Sequence, residues 1–397
     1  MTEIENQLQN YGFARVMVIP KDSSLESSKI EEQFLDKPPE GLGLSKKRKL
    51  PPYRHFKRLG LYVGYVDKAQ LKKMMTVAKN ASIHAEEIIS LIRPVEKRIA
   101  MSAGDMTWGL EKLGIQHFWN DGITGKNIKV GLLDTGVDGK HEALRGRIRD
   151  FIDVDYDGNI VHDTRDVEQK ARDSDEHGTH CAGTICGGYS NGMSIGVAPG
   201  ADLYAGLVIE GGDVLLRVLQ GMEWCLEKNV KVLSMSLGLR GWVPFWWEVT
   251  KRIRESGILP VFAIGNEGEG TSRSPGNYPE CISVGAIDSN ERIASFSSSV
   301  KFDRPIEPNQ PNCVAPGVNV ISARPGGGVQ EMSGTSMATP HAAGVCALLF
   351  EAKKDASIDE IEKAIFDTCK PLETGVPIHY GYGLIDPYRA YQKLTKK

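Results

Sequence analysis

From about residue 103 onward the chain repeats one pattern: a short run apolar on both faces, then a turn, then a helical stretch. The runs are Ile128–Leu133, Leu203–Val208, Val230–Met235, Ile258–Ile264 and Cys281–Ala286, with helices predicted over Val214–Lys228 and Phe245–Ser256. A strand with no polar face must be covered on both sides, and alternating helices provide that cover. The predicted fold class is therefore α/β, a three-layer domain with a mainly parallel sheet between helices. Ligand sites on such sheets lie outside the carboxyl ends of the strands.

The first hundred residues differ. They carry 18 Lys+Arg against 12 Asp+Glu, a net of +6, and the remainder carries 30 against 39, a net of −9. This break divides the chain into 1–102 and 103–397 and suggests a basic unit resting on an acidic one. Within the first unit, Ala14–Pro20, Leu59–Val66 and Glu86–Arg93 read as strands. Lys29–Lys37 reads as a short helix and Lys46–Pro52 as a basic, proline-ended loop. Asp67 is placed to cap a helix over Lys68–Asn80. The expectation is a small α+β domain of ferredoxin-like, split βαβ type.

The whole chain has 397 residues, 25% charged and 41% hydrophobic, with a net charge of −3. Such a balance gives no reason to expect nucleic acid or a membrane as partner. The opening MTEIENQLQN lacks the basic and apolar regions of a secretory signal. Seven cysteines, an odd number without a CxxC pair, read as reduced core thiols. Together these features point to a reducing, cytoplasmic setting.

Three segments carry the chemistry. In Lys129–Val137 (KVGLLDTGV) an apolar strand ends on Asp134, either an active-site carboxylate or a cap for the following turn. In His177–Gly183 (HGTHCAG) small residues begin a helix at one of two histidines, His177 or His180. Their spacing does not choose between them, and no third ligand follows at metal-site spacing, so no metal is expected there. In Gly334–Gly344 (GTSMATPHAAG) Ser336 opens a small-residue helix that Pro340 is expected to join only in its first turn. The Ser336 hydroxyl then lies at the positive end of a helix dipole, although an ordinary N-cap has the same signature.

DTGV, HGTHCAG and GTSMATPHAAG, in the order Asp, His, Ser, resemble the signature motifs of the subtilisin-like serine proteases, the subtilases. The likeness spans about residues 103–392. It implies a triad of Asp134, His177 and Ser336, which decides for His177 over His180. Asn266 and the Ser336 N–H would bind the oxyanion. Ser236, Leu237 and Gly238 would form one wall of the specificity pocket and Gly265 part of the other. Substrate would bind as an extended strand along Ser236–Gly238 and Leu207–Gly211. Trp242, Phe245, Trp246 and Trp247 would either rim this pocket or pack in the core.

The resemblance also implies that residues 1–102 act as a prodomain that inhibits the active site, making the chain a zymogen with autocleavage expected within Arg98–Asp105. Calcium is expected to be doubtful, because the family's carboxylate position falls on Ala143 and Gly187–Ser194 has no acid. The expected activity is a serine endopeptidase acting on proteins or peptides. The alternatives are a peptide ligase or cyclase using the same acyl-enzyme, and a silent binding scaffold.

Overall fold

The computed structural model describes residues 3–21, 27–39, 51–87, 89–100 and 104–396. The expected boundary at 102/103 and most of the basic loop Lys46–Pro52 lie outside these residues.

An eight-stranded sheet forms the centre. Its order is Cys313–Pro316, Ile282–Ile287, Leu259–Ala263, Val232–Met235, Lys129–Asp134, Asp202–Leu207, Ile148–Val154, Ile160–Thr164. All neighbours are parallel except the last pair. The five apolar runs are all present. Ile148–Val154 was not anticipated, because its acids interrupt the apolar pattern. Asp150 and Asp153 are nevertheless buried there, neutralised by Lys228 at 2.9 Å and Arg172 at 3.1 Å.

The strand Lys129–Asp134 shows how the layers form. Val130 and Leu132 join the core on the side of helices His177–Cys186 and Thr335–Ala352. Leu133 joins the core on the side of helices Val214–Lys228 and Phe245–Glu255. Successive strand residues point to opposite faces, so one short run supplies both cores.

The N-terminal unit is a four-stranded antiparallel sheet, ordered Tyr53–Phe56, Leu61–Asp67, Phe13–Pro20, Ala81–Ala85. With helices Ser27–Glu31 and Lys68–Val77 this is the expected ferredoxin-like arrangement. The second helix opens with a capping box between Asp67 and Gln70. Strand Phe13–Pro20 is again two-faced. Ala14, Val16 and Val18 pack with Ile30, Phe34 and Met74 of its own domain. Met17 and Ile19 pack against the outer helices of the large domain.

Polar groups fix that interface. The Glu223 carboxylate accepts from the N–H groups of Arg58 and Leu59 at 2.7 and 2.9 Å. Arg252 donates to the carbonyls of Leu59, Gly60 and Pro20. Arg15 pairs with Asp213 at 2.5 Å, the sign the charge break suggested, whereas Arg252 runs the other way.

Glu86–Arg93 is not the third strand of this sheet. That place is taken by the half-buried Ala81–Ala85, whose apolar signal is weak. Ile89, Leu91 and Ile92 occupy a cleft in the large domain instead. Of the four aromatics, Phe245 and Trp246 are buried in the core, while Trp242 packs on Tyr278 at 5.0 Å between ring centroids.

Candidate active site

Asp134 ends its strand, fully buried, and His177 begins its helix. Two glycines let these elements meet. A Cβ on Gly178 would lie 2.0 Å from the Gly136 carbonyl oxygen, so a side chain there would force the Asp134 turn and the His177 helix apart. Gly136 itself has φ +100°, open to glycine at little cost. At this contact Asp134 Oδ1 accepts from His177 Nδ1 at 2.7 Å and from the Thr135 N–H at 2.7 Å.

Asp173 supports both partners and was not singled out in the sequence. Its carboxylate accepts from Thr135 Oγ1 at 2.7 Å, and from the N–H groups of Asp175, Glu176 and Thr179 at 3.0, 3.0 and 2.7 Å. It therefore caps the His177 helix from four residues upstream and ties that helix to the Asp134 turn. An acid just ahead of a small-residue helix was the available signal.

His180 lies elsewhere. It is buried, its Nε2 meets the Val320 carbonyl at 3.0 Å, and burial pushes its pKa down to about 3. His177 behaves oppositely. Burial alone would lower it, but the Asp134 carboxylate outweighs burial and raises it well above the usual histidine value.

Ser336 is the second residue of helix Thr335–Ala352. Pro340 lies inside this helix, past its first turn, contrary to expectation. Proline has no N–H for the Ser336 carbonyl four residues back. That carbonyl instead accepts from Cys181 Sγ and Ser236 Oγ, both at 3.4 Å. Side chains from the His177 helix and from the Ser236–Gly238 wall thus take up the bond that proline omits.

Asn266 is fixed by its acceptor end. Its Oδ1 accepts from the Thr335 N–H and Oγ1, each at 2.9 Å, which turns Nδ2 toward the cleft. A Cβ on Gly334 would come within 3.2 Å of that Nδ2.

The cleft is filled by the chain itself. Ser90–Leu91 pairs antiparallel with Leu237–Gly238, and the Ile92 N–H donates to the Ser236 carbonyl at 2.9 Å. Ile209, Glu210 and Gly211 line the opposite wall. Ser336 Oγ donates to the Ile92 carbonyl at 2.6 Å, and Asn266 Nδ2 donates to the next carbonyl, Arg93, at 2.9 Å. His177 Nε2 is buried with no partner among the described residues. Beyond the cleft Glu96–Ile99 pairs with Gln330–Ser333. Ile92–Arg93 is therefore the segment at Ser336 and Asn266, while residues 101–103 of the expected cleavage stretch Arg98–Asp105 lie outside the described residues.

The model of the Subtilase family matches residues 125–383. The chain belongs to the subtilase family. Relatives of this subtilase include the major intracellular serine protease of Bacillus subtilis, 35% identical over 270 residues, covering 66% of this chain and 80% of the relative. The intracellular serine protease of Paenibacillus polymyxa is 39% identical over 251 residues, covering 61% and 72%. Subtilisin E of Bacillus subtilis is 33% identical over 296 residues, covering 73% and 72%. The chain is a subtilisin-like serine endopeptidase.

Two places in this subtilase bear on metals. Ala143 packs in an apolar cluster with Met193, Ile195, Ala323 and Val329. Its neighbour Glu142 accepts from Ser190 Oγ at 2.5 Å and from the Gly328 N–H at 3.0 Å. Asp134, His177 and Cys181 bring three potential ligand atoms within 4.8 Å of one another, but the Asp134–His177 hydrogen bond already uses two of them. The seven cysteines are free, and six of them are buried.

Proposed function

We propose that this subtilase is a self-inhibited precursor that hydrolyses peptide bonds through an acyl-enzyme on Ser336. The observation that carries this reading is convergence. Ser336 Oγ and Asn266 Nδ2 both reach carbonyls of one extended segment that lies in the cleft, on consecutive residues instead of the single carbonyl a productive substrate presents, with the Asp134–His177 pair beside them. In the open enzyme Ser336 Oγ attacks the scissile carbonyl and passes its proton to His177 Nε2. Asp134 holds the imidazole and stabilises its charged form, and His177 then protonates the leaving amine. Asn266 Nδ2 and the Ser336 N–H receive the developing oxyanion. Ser236, Leu237 and Gly238 hold the substrate backbone, and Gly265 leaves room for the side chain before the cut. Calcium has no part in this reading.

In the closed chain these parts are engaged unproductively. The Ser336 proton goes to the Ile92 carbonyl instead of His177, and the Asn266 donor is taken one residue downstream. The 1–102 region thus acts as inhibitor, and the cut that opens the enzyme falls at Ile92–Arg93. The names of two relatives, together with the free cysteines, support a cytoplasmic setting. N-terminal sequencing and intact mass of the incubated chain test this reading. Wild type should gain an N-terminus at Arg93, and Ser336→Ala, expected to lose about 10⁶-fold in kcat, should stay whole. A new terminus between 98 and 105, or equal cutting of both proteins, would overturn it. Hydrolysed rather than joined products separate this reading from a ligase.

A further inference from the structure

The rim of the cleft carries two acids, Asp175 and Glu176, immediately before His177. Both are held by the protein independently of what lies in the cleft. Asp173 accepts both of their N–H groups at 3.0 Å. Glu176 sits at φ +84°, a left-handed conformation uncommon for a side-chain-bearing residue, and serves as N-cap position of the His177 helix. Each acid meets a base of the blocking segment. Arg93 Nη1 pairs with Asp175 Oδ2 at 2.6 Å, and Lys97 pairs with Glu176.

Asp175 also lines a cavity of about 650 Å³ beside the segment, together with Leu91, Arg93, Thr135, Ser174 and Glu210. In an extended chain, alternate side chains share a face. Ile89, Leu91 and Arg93 accordingly lie on the cavity side of the segment, which Ser90 also touches, whereas Ile92 is buried and does not line it. Glu210 has its counter-charges within the domain, a bidentate Arg172 with both bonds at 2.9 Å and Arg217 at 3.8 Å. The counter-charge of Asp175 comes from Arg93 of the blocking segment, a place that a substrate residue takes once the cleft opens.

We propose that Asp175 is a specificity residue that selects substrates with Lys or Arg facing this cavity. The positions concerned are the second residue before the scissile bond and the first after it. This rests on the endopeptidase reading and adds a substrate class to it: basic-flanked cleavage sites with apolar residues where Ile89 and Ile92 now lie. A charge-assisted hydrogen bond at a half-exposed rim should give about a tenfold preference in kcat/KM.

The test uses the full chain, incubated until its activity stops rising, against quenched peptides of one apolar sequence. Each peptide carries Arg, Lys, Ala or Glu at one of the two positions. Arg and Lys should exceed Ala about tenfold at one or both, with Glu below Ala, and salt near 1 M should erase the difference. Asp175→Asn should flatten the series, and Asp175→Lys should turn it toward Glu. Equal rates for Arg and Ala in wild type, or an Arg preference surviving in Asp175→Asn, would overturn the proposal. The wild-type panel and its salt dependence require no variant to fold. The Ala peptide, read beside fluorophosphonate labelling of Ser336, separates the two readings. If it is not cut, the endopeptidase reading falls; if all peptides are cut alike, only the preference falls.

Discussion

The segment that crosses the cleft has two arms of different character. Before the nucleophile, Ile89 and Ile92 are each 1% exposed, one packed with the core that joins both domains, and the backbone pairs with Leu237–Gly238. After it, Glu96–Ile99 is exposed along its whole length, Ile99 to 80%, and holds through a backbone ladder and the Lys97–Glu176 pair. Apolar burial is nearly indifferent to salt, while exposed ion pairs contribute little and are screened. In the proposed precursor the first arm carries the grip on the cleft and the second steadies it. The candidate active site sits at the junction, on Ile92 and Arg93.

Disabling the junction should have the largest effect. Asp134→Asn should lower peptide hydrolysis about 10⁴-fold, the loss measured on other triad proteases, leaving the arms joined correspondingly longer. The same variant has a pH signature. His177 must be neutral to accept the proton, and Asp134 raises its pKa, so activity falls as pH drops through that raised value. Without the carboxylate the acid limb of the kcat/KM profile should move to lower pH; an unmoved limb would count against Asp134 as the partner of His177.

Asn266→Ala comes next. It should lose about 10²–10³ in kcat, the range found for an oxyanion asparagine in a subtilisin. It also frees the Arg93 carbonyl, so the junction loosens as the chemistry slows. An unchanged kcat would remove Asn266 from the oxyanion role.

The arms themselves differ least but most directly. Ile92→Ala should weaken closure by about 2–4 kcal/mol through lost burial, and Lys97→Ala by under about 1 kcal/mol. The rate at which a fluorophosphonate labels Ser336 in freshly purified chain reads this difference. If Lys97→Ala opens the cleft as readily as Ile92→Ala, the division of labour between the arms fails.

Much of the fold was legible because its physics is local. Two-faced apolar runs require a covered sheet, and five of its strands were located from that pattern alone. Ile148–Val154 escaped because its buried acids are neutralised by Lys228 and Arg172, which are remote in sequence. The site was legible through its motifs, since glycine at 136 and 178 is required by a backbone contact that no other residue permits. Asp173 escaped because its role depends on a helix start and a turn brought together only by folding. Pro340 lies deeper in its helix than expected because the donors that satisfy the Ser336 carbonyl, Cys181 and Ser236, come from segments remote in sequence.

The sequence by itself determined the layered α/β fold, the order of the three motifs and the existence of a separate N-terminal domain. These follow from strand and helix periodicity, glycine sterics and charge, which act over short stretches of chain. Only the tertiary structure decided what Glu86–Arg93 does. Its apolar residues suit a sheet core and a substrate groove equally well. Which surface they fill depends on Leu237–Gly238, Ser336 and Asn266, all more than a hundred residues away.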